Sequence, residues 1–281
     1  MSFRNFVPIA ESAKIQKELD RQMVFLENCN TEFEGDVKEF GDTVKILNAG
    51  KPTIYEHNDG KIHSHASEDL EGSAFFLPIR QVAQAHYGIG DIDKQIARGN
   101  LYSVYLEETK TGFGDVMDKF IAAKAADPNV EKYAPATAVS ASNVLDYIDY
   151  CKVWLEENDV KPSTEISLVG SPKFCDFVRK AYIAKGIDKA TEHLQNGEIT
   201  RYNNMIIKQS NNVYTATESG TDYEYIQVKT NNAIAFVKPY LHLESYRPDG
   251  FFEDAVKGYS LYDGKVVRPK EIIDLNVKLG D

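Results

Sequence analysis

The sequence predicts an α+β fold in which helices come first and strands come last. Helical periodicity covers residues 91–127 and 144–155, whereas strand patterns fill the last third, at 223–229, 233–237 and 241–246. Because helices and strands do not alternate regularly, the pattern favours segregated elements over a repeated parallel unit. With 281 residues, of which 42% are hydrophobic, the chain can bury a sizeable core.

The N-terminal segment is predicted to be an apolar arm followed by a helix. Ile15, Leu19, Met23 and Leu26 fall on one stripe of the helical period. Phe6 belongs to the apolar stretch ahead of this helix, which has no partner pattern of its own. Since such a stretch must lie on the chain's own body or on a neighbour, Phe6 is a predicted assembly contact.

Two short strands are predicted next. Residues 36–47 carry a strand pattern, punctuated by Gly41 and Asp42, and residues 74–79 carry a second one. Pro78 has no backbone N–H to donate, so this second strand is expected at the edge of a sheet.

Between these strands lies the clearest hairpin pattern. Residues 53–57 and 61–66 flank Asp59-Gly60, a pair preferred in two-residue type I′ turns. In the register that this turn sets, neither face of the ribbon is apolar. A lone two-stranded ribbon is marginal in water, so we expect it to project from the body and to be held by contacts elsewhere. Its predicted assembly contacts are Ile54, Tyr55 and Ile62.

A long helical stretch is predicted to begin near Asp91, which is a plausible N-cap. Gly112-Phe113-Gly114 is predicted to interrupt it, because glycine is unfavourable inside a helix. The helical pattern then resumes and ends at Asp127-Pro128.

The middle third predicts a compact α/β unit. A helix behind the cap candidates Ser140 and Ser142 is followed by a strand at 164–169 and a second helix. Ser171 and Pro172 supply the cap and the first residue of that second helix, which Gly186 is expected to end. The stripe of the first helix consists of Val144, Ile148, Cys151 and Leu155.

The last third predicts strands and one tight turn. Asp263-Gly264 lies between the strand patterns 259–262 and 265–267, so we expect a hairpin there.

Candidate binding motifs in the sequence are weak. Gly88-Ile89-Gly90 and Gly112-Phe113-Gly114 do not complete a dinucleotide-binding fingerprint, so turns or helix breaks are favoured. His63 and His65 share a ribbon face with Glu56 and form a candidate metal cluster, but an exposed polar ribbon is favoured over a metal site.

A catalytic cysteine is also considered. Cys175 with His193 or His242 is a candidate nucleophile pair, although a core cysteine is favoured. The sequence therefore predicts no catalytic residue, no metal ligand and no cofactor, and we do not expect an enzyme. The odd number of cysteines, three, predicts free thiols rather than a disulfide framework.

The charge balance limits the partners. Lysine and arginine total 32 against 43 acidic residues, giving a net charge of −11, which disfavours a protein that grips nucleic-acid phosphates. No apolar run is long enough for a membrane helix, and the first residues lack the apolar stretch of a signal peptide. We therefore expect a chain made in the cytosol, with no membrane partner.

Short motifs at both ends of the chain occur in a definite order. Those at the start are Phe6-Val7-Pro8-Ile9, Phe33-Glu34-Gly35-Asp36 and Phe40-Gly41-Asp42-Thr43-Val44-Lys45-Ile46, and those at the end are 233–237, 252–258 and 262–266. The ordered set resembles tailed-bacteriophage major capsid proteins of the Hong Kong 97 type.

The resemblance implies a Hong Kong 97 type capsid fold. That fold has an N-terminal arm, an extended hairpin loop, a peripheral domain with a long spine helix, and an axial α/β domain. The family's long helix is usually continuous, whereas the residue pattern here predicts a break at Gly112-Phe113-Gly114. The implied boundaries are 1–35 for the arm, 36–49, 76–138 and 230–281 for the peripheral domain, 50–75 for the loop, and 139–229 for the axial domain.

The function implied by the resemblance is structural. Copies of the chain would assemble as pentamers and hexamers into an icosahedral phage head that encloses double-stranded DNA. The implied partners are a scaffolding protein, a portal and a decoration protein, and the implied location is the virion capsid, assembled in the host cytoplasm. Two alternatives stay open: an encapsulin-type bacterial compartment shell, and a cytosolic enzyme that uses the central α/β unit.

Overall fold

A 22-residue helix, α2 (Leu101–Ala122), lies between the two larger of the three sheets in the computed structural model of the protein. Its apolar face, which includes Phe113, Met117 and Ile121, packs in one core with residues from both sheets. The structure describes residues 23–33, 43–48, 53–58, 60–61, 63–64, 73–91, 101–184, 198–218 and 220–280.

The other helices of the described residues are shorter than α2. They are α1 (Val24–Glu27), α3 (Val144–Glu157) and α4 (Pro172–Ala184), together with 3-10 turns at Ala123–Ala126 and Pro269–Glu271.

The strands lie before α2 and in the second half of the chain. They are β1 (Thr43–Asn48), β2 (Ser73–Pro78), β3 (Gln81–Gly90), β4 (Glu131–Tyr133), β5 (Ile166–Gly170), β6 (Glu198–Tyr202), β7 (Met205–Gln209), β8 (Tyr214–Glu218), β9 (Thr221–Thr230), β10 (Ile234–Tyr246), β11 (Glu253–Val266) and β12 (Ile272–Val277).

These strands form three sheets. β1 and β2 pair antiparallel, and β10, β11 and β3 form a long antiparallel sheet in that order. The central sheet has the order β4-β12-β9-β5-β7-β6, with β8 paired to β9. It is mixed, because β4 runs parallel to β12 and β5 runs parallel to β7. The α+β prediction is confirmed.

The central sheet separates two kinds of surface. Since side chains alternate along a strand, Ile226 and Val228 of β9 face one side together with Ile273 and Leu275 of β12. This side is apolar and packs against α3 and α4. The opposite side carries the polar residues of the same strands and lies towards the end of α2, since Gln227 Nε2 donates to the Ile121 carbonyl at 3.4 Å.

The middle α/β unit follows the prediction closely. Ser171 Oγ accepts a hydrogen bond from the Phe174 amide at 3.2 Å, so it caps α4 as expected, with Pro172 as the first helical residue. The caps predicted for α3 are wrong: Asn143 precedes the helix, and its Oδ1 accepts from the Ser140 amide at 2.8 Å. Gly186 lies outside the described residues.

The predicted break in the long helix is wrong, and α2 runs unbroken through Gly112, Phe113 and Gly114. A Cβ on Gly112 would meet no atom within 4 Å, whereas a Cβ on Gly114 would overlap the thioether of Met23. Gly114 is thus explained by close contact with the N-terminal segment rather than by a break. The helical stretch ends at Ala126, before Pro128, as predicted.

The hairpin predicted at Asp263-Gly264 is also wrong, because β11 passes straight through it. A Cβ on Gly264 would lie 2.9 Å from Cδ1 of Ile121 and 3.3 Å from the Ala235 carbonyl oxygen. Asp263 accepts from the Arg80 amide at 3.1 Å, so its side chain joins the chain ahead of β3 to β11.

Two further strand predictions need correction. Gly88 and Gly90 are neither turns nor helix breaks but lie in β3, where a Cβ on Gly88 would come within 2.5 Å of the Glu253 carboxylate. The strands predicted at 233–237 and 241–246 form one strand, β10, whose pairing shifts between Val237 and Tyr240. Pro239 lies at this irregularity and cannot donate to the ladder.

The predicted ribbon is not a pair of strands in the described part of the segment. Residues 53–58, 60–61 and 63–64 form no regular secondary structure and are exposed. Gly60 has a φ of +67°, as a turn residue requires, and the rings of His57 and His63 lie 4.3 Å apart. The turn predicted at Asp59-Gly60 pairs Glu56 with His63, which places the His57 and His63 rings on opposite faces of the ribbon. The contact between the two rings shows that this register is wrong, although the two arms of the segment do approach each other.

The sheet order bears on the implied domain boundaries. β4 and β12 belong to the same sheet as β5 and β9, although the implied boundaries place them outside residues 139–229. Among the helices of the described residues, none is both long and apolar enough to cross a membrane.

The two helical glycines provide a matched test of the continuous helix. Gly112→Ala is expected to stabilise the chain by about 0.5–1 kcal/mol, because alanine is favoured over glycine in a helix interior and meets no neighbour here. Gly114→Ala should gain less, because its methyl group requires the thioether end of the Met23 side chain to move. Urea unfolding of both variants measures the difference, and equal effects of the two substitutions would contradict the contact with Met23.

Candidate assembly surfaces

Residues 23–30, called the arm root here, are built into the core of the chain. Val24 and Phe25 of α1 are fully buried against α2 and β10. Met23 and Leu26, which the sequence placed on the buried stripe, are only half-buried, and α1 has four residues. Residues 1–22 of the predicted arm, with Phe6, and residues 34–35 lie outside the described residues.

Two buried charged side chains fix the arm root. Asp118 of α2 accepts from the Leu26 amide at 3.0 Å and from Asn212 Nδ2 at 2.9 Å. Lys229 of β9 donates to the Asn28 carbonyl at 2.5 Å and lies 3.3 Å from Cys29 Sγ. Both charged residues are 0% exposed, so the arm root satisfies groups that water cannot reach.

Backbone pairing extends this attachment. The Asn30 amide donates to the Ile234 carbonyl at 2.9 Å, and the Phe236 amide donates to the Asn30 carbonyl at 2.9 Å. The arm root therefore joins α2, β9 and β10.

Burial sets the ionisation of the groups around the arm root. It raises the pKa of Asp118, while the hydrogen bonds from Asn212 and the arm-root amides oppose this change. It also raises the pKa of Cys29, which nearby Lys229 partly offsets. A thiol of this kind is a packing group rather than a reactive nucleophile.

The exposed loop, residues 53–64, is the second surface. Ile54 is 84% exposed and Tyr55 is 53% exposed, so two of the four predicted contact residues are open to solvent in the single chain. Ile62 lies outside the described residues.

The hairpin tip, residues 247–252 between β10 and β11, is a third surface that the sequence analysis missed. Phe251 and Phe252 are 66% and 85% exposed. Their signal was present, since Pro248-Asp249-Gly250 is a turn sequence directly ahead of the two phenylalanines.

The tip is held at its base. The Arg247 guanidinium contacts the Asp91 carboxylate and lies 3.6 Å from that of Asp254. The Asp91 amide donates to the Phe252 carbonyl at 2.9 Å, so a hydrogen bond joins the tip to the residue that directly follows β3.

The candidate catalytic and metal residues do not assemble into a site in the described chain. Cys175 is buried in the core, and burial raises its pKa to about 12. The His242 ring packs against Tyr259, and His193 and His65 lie outside the described residues. The described residues contain no group of three histidine, cysteine or acidic side chains placed to hold a metal ion.

Comparison with known proteins gives matches only among solved structures. No protein-family model matches the sequence, and no curated protein matches it significantly. A structure from Mycobacterium phage Che8 matches with a TM-score of 0.78 and 24% identity, over 98% of this chain and 98% of that chain.

Two capsid structures agree with this match. The capsid of cyanophage P-SCSP1u gives a TM-score of 0.76 and 13% identity, covering 98% of this chain and 94% of that one. The capsid of Ralstonia phage GP4 gives 0.71 and 12%, covering 100% and 98%. The chain therefore has the fold of phage capsid structures, and the predicted Hong Kong 97 type fold is confirmed.

The buried carboxylate offers a test of how the arm root is held. Asp118→Ala is expected to cost about 2–4 kcal/mol, because it leaves the Leu26 amide and one N–H of Asn212 buried without their acceptor, while the other N–H of Asn212 keeps Asp115. Urea unfolding measures the loss, and hydrogen exchange should show faster exchange at residues 24–30.

The matched control is Asp176→Ala, which removes an exposed carboxylate 2.7 Å from Lys180 on α4. Exposed pairs of this kind contribute at most about 1 kcal/mol. Equal losses in the two variants would contradict a special role for Asp118.

Proposed function

We propose that the chain is the major coat protein of a tailed-phage head, assembling as pentamers and hexamers into an icosahedral shell around double-stranded DNA. The supporting observation is that its similarity to a cyanophage capsid extends over 98% of this chain and 94% of the other. Neither chain has a large part without a counterpart in the other.

The exposed apolar groups support this proposal. Ile54 and Tyr55 of the exposed loop, and Phe251 and Phe252 of the hairpin tip, gain burial only against another molecule. A shell of identical copies supplies that molecule in a repeated geometry. Phe6 and Ile62 are proposed as contacts of the same kind.

The parts of the subunit follow from the same proposal. Residues 1–35 are the N-terminal arm, 50–75 the extended loop, and 139–229 the axial domain. The remaining segments form the peripheral domain, whose long helix is α2. β4 and β12 complete the axial sheet, although they come from peripheral segments.

The proposed role is structural rather than catalytic, with the virion capsid as its location after assembly in the host cytoplasm. A scaffolding protein and a portal are proposed partners during assembly, and a decoration protein is a proposed partner afterwards. The net charge of −11 supports a wall that encloses DNA without gripping it, because tight backbone binding requires clustered cations.

Expression of the full chain, alone and with candidate scaffolding proteins from the same genome, tests the proposal. Size-exclusion chromatography and electron microscopy should show closed shells or shell fragments. A uniform small species under every assembly condition would falsify the coat-protein function. Uniform closed shells formed by the chain alone, around a co-purified enzyme, would indicate an encapsulin instead.

Removal of the exposed loop separates folding from assembly. Replacing residues 53–65 with a short glycine-serine linker should leave the unfolding midpoint of the isolated subunit almost unchanged, because the described loop residues are exposed. The same variant should fail to form stable shells in the electron microscope. If the isolated subunit unfolds instead, the segment is part of the core.

A double variant of the two exposed phenylalanines tests the hairpin tip. Phe251→Ser with Phe252→Ser should leave subunit stability within about 0.5 kcal/mol, since both rings are exposed. Assembly yield should fall at least about tenfold, which corresponds to the loss of about 1.4 kcal/mol of contact free energy.

Val153→Ser is the control, because Val153 is 52% exposed on α3 and lies outside the three surfaces. Its expected assembly yield is that of the natural chain. A yield that drops equally in both variants would mean that the tip has no special contact.

A further inference from the structure

Asp274 lies at the centre of the polar side of the central sheet. It pairs with Gln227 of β9 on one side and with Lys132 of β4 on the other. Its alternate neighbour on β12, Asn276, points to the same side. Gln227 donates to the Ile121 carbonyl, so this side lies under the C-terminal end of α2.

Every unsatisfied atom in this cluster is a hydrogen-bond acceptor. Both carboxylate oxygens of Asp274, Oε1 of Gln227 and Oδ1 of Asn276 are buried and have no donor among the described residues. Asp274 and Gln227 are each 0% exposed. The C-terminal end of a helix adds further negative potential. The cluster therefore lacks donors rather than acceptors.

Charged groups on the surrounding elements do not supply this donor. Lys132 favours ionisation of Asp274, but its ammonium donates to the Ala126 carbonyl at 3.2 Å. Lys229 is bound to the arm root, and Lys124 lies over the Phe120 ring. The other ionisable groups on elements packed against β12 are Glu131 and Tyr133 on β4, Asp222, Tyr223, Glu224 and Tyr225 on β9, Lys270 and Glu271 in the turn before β12, and Asp146, Tyr147, Asp149, Tyr150, Cys151, Lys152, Glu156 and Glu157 on α3.

We infer that Asp274 is protonated in the folded chain and donates this proton to Gln227 across the strand pair, so that the sheet and the end of α2 are joined in a proton-dependent manner. Directly opposed side chains have Cβ atoms about 5 Å apart, which allows such a bond. In this bond one oxygen of Asp274 becomes the donor and Oε1 of Gln227 accepts, so two of the four unsatisfied atoms gain a hydrogen bond. The site belongs to the isolated chain and does not depend on assembly.

The sign of the pH effect follows from linkage. Burial raises the pKa of Asp274 well above its ordinary value, so the folded chain binds a proton that the unfolded chain releases. Stability is therefore fully present below the unfolded pKa and is lost as the pH rises towards the folded pKa. Ionisation leaves a buried carboxylate next to an acceptor, which loosens the contact between β12 and α2.

Urea unfolding between about pH 5 and about pH 8 tests this inference. For the natural chain, the proton on Asp274 should contribute up to about a tenfold increase in the unfolding equilibrium constant per pH unit. Asp274→Asn should remove this contribution and should be the more stable chain at the upper pH, because its amide donates permanently. Glu131→Gln is the control, since it makes the same change from carboxyl to amide at an exposed site on β4 and should keep the slope.

Infrared spectroscopy of the natural chain near neutral pH gives an independent measurement. The carbonyl stretch of a protonated carboxylic acid should be present there and should disappear in Asp274→Asn, or in Asp274→Ser if the first variant does not fold. An unchanged pH slope in the variant, or no such band in the natural chain, overturns the inference. So does stabilisation by K⁺ or Mg²⁺ that requires Asp274, because a metal cation would then fill the cluster.

Discussion

The structure depends on two buried charges that meet the same short segment. Asp118 lies on α2 and Lys229 lies on β9, and neither can be hydrated where it is. A buried charge without a partner costs several kcal/mol, so each must find a fixed partner. Both find it in the arm root, where the Leu26 amide donates to Asp118 and the Asn28 carbonyl accepts from Lys229. The arm root therefore sets the position of the long helix relative to the central sheet.

The two sides of the central sheet are stabilised by different interactions. The side against α3 and α4 is an apolar core, which tolerates small shifts because dispersion and burial are not directional. The opposite side carries Lys229 and Gln227, whose hydrogen bonds are directional. Strand alternation makes this unavoidable, since the strands that build the apolar core must present their other residues to α2. Val169 and Ile272 also lie on this side and share an apolar core with α2, so directional bonds and apolar packing together fix α2 on the sheet.

A structural feature could be predicted from the sequence where residues close together in the chain determine it, and not where a contact between distant residues does. Ser171-Pro172 defines the start of α4, and the stripe of Ile148 and Leu155 defines the buried face of α3, because local chemistry decides both. The sequence predicts a helix break at Gly114 and a hairpin turn at Gly264, and both predictions are wrong because a missing Cβ does not reveal which distant atom takes its place. That atom belongs to Met23 in one case and to Ile121 in the other. The exposed tip was missed for a related reason: Phe251 is recognisable as exposed only once β10 and β11 are known to pair.

The proposed assembly surfaces differ in how much order they have before contact. The hairpin tip is held at its base by the contact of Arg247 with Asp91 and by the hydrogen bond from the Asp91 amide to the Phe252 carbonyl. The described loop residues lie in no helix or strand, so no backbone ladder fixes their positions. A contact surface whose position is already fixed loses less conformational entropy when a neighbour binds. On the proposed function, the tip is therefore expected to contribute more binding free energy per unit of buried area than the loop.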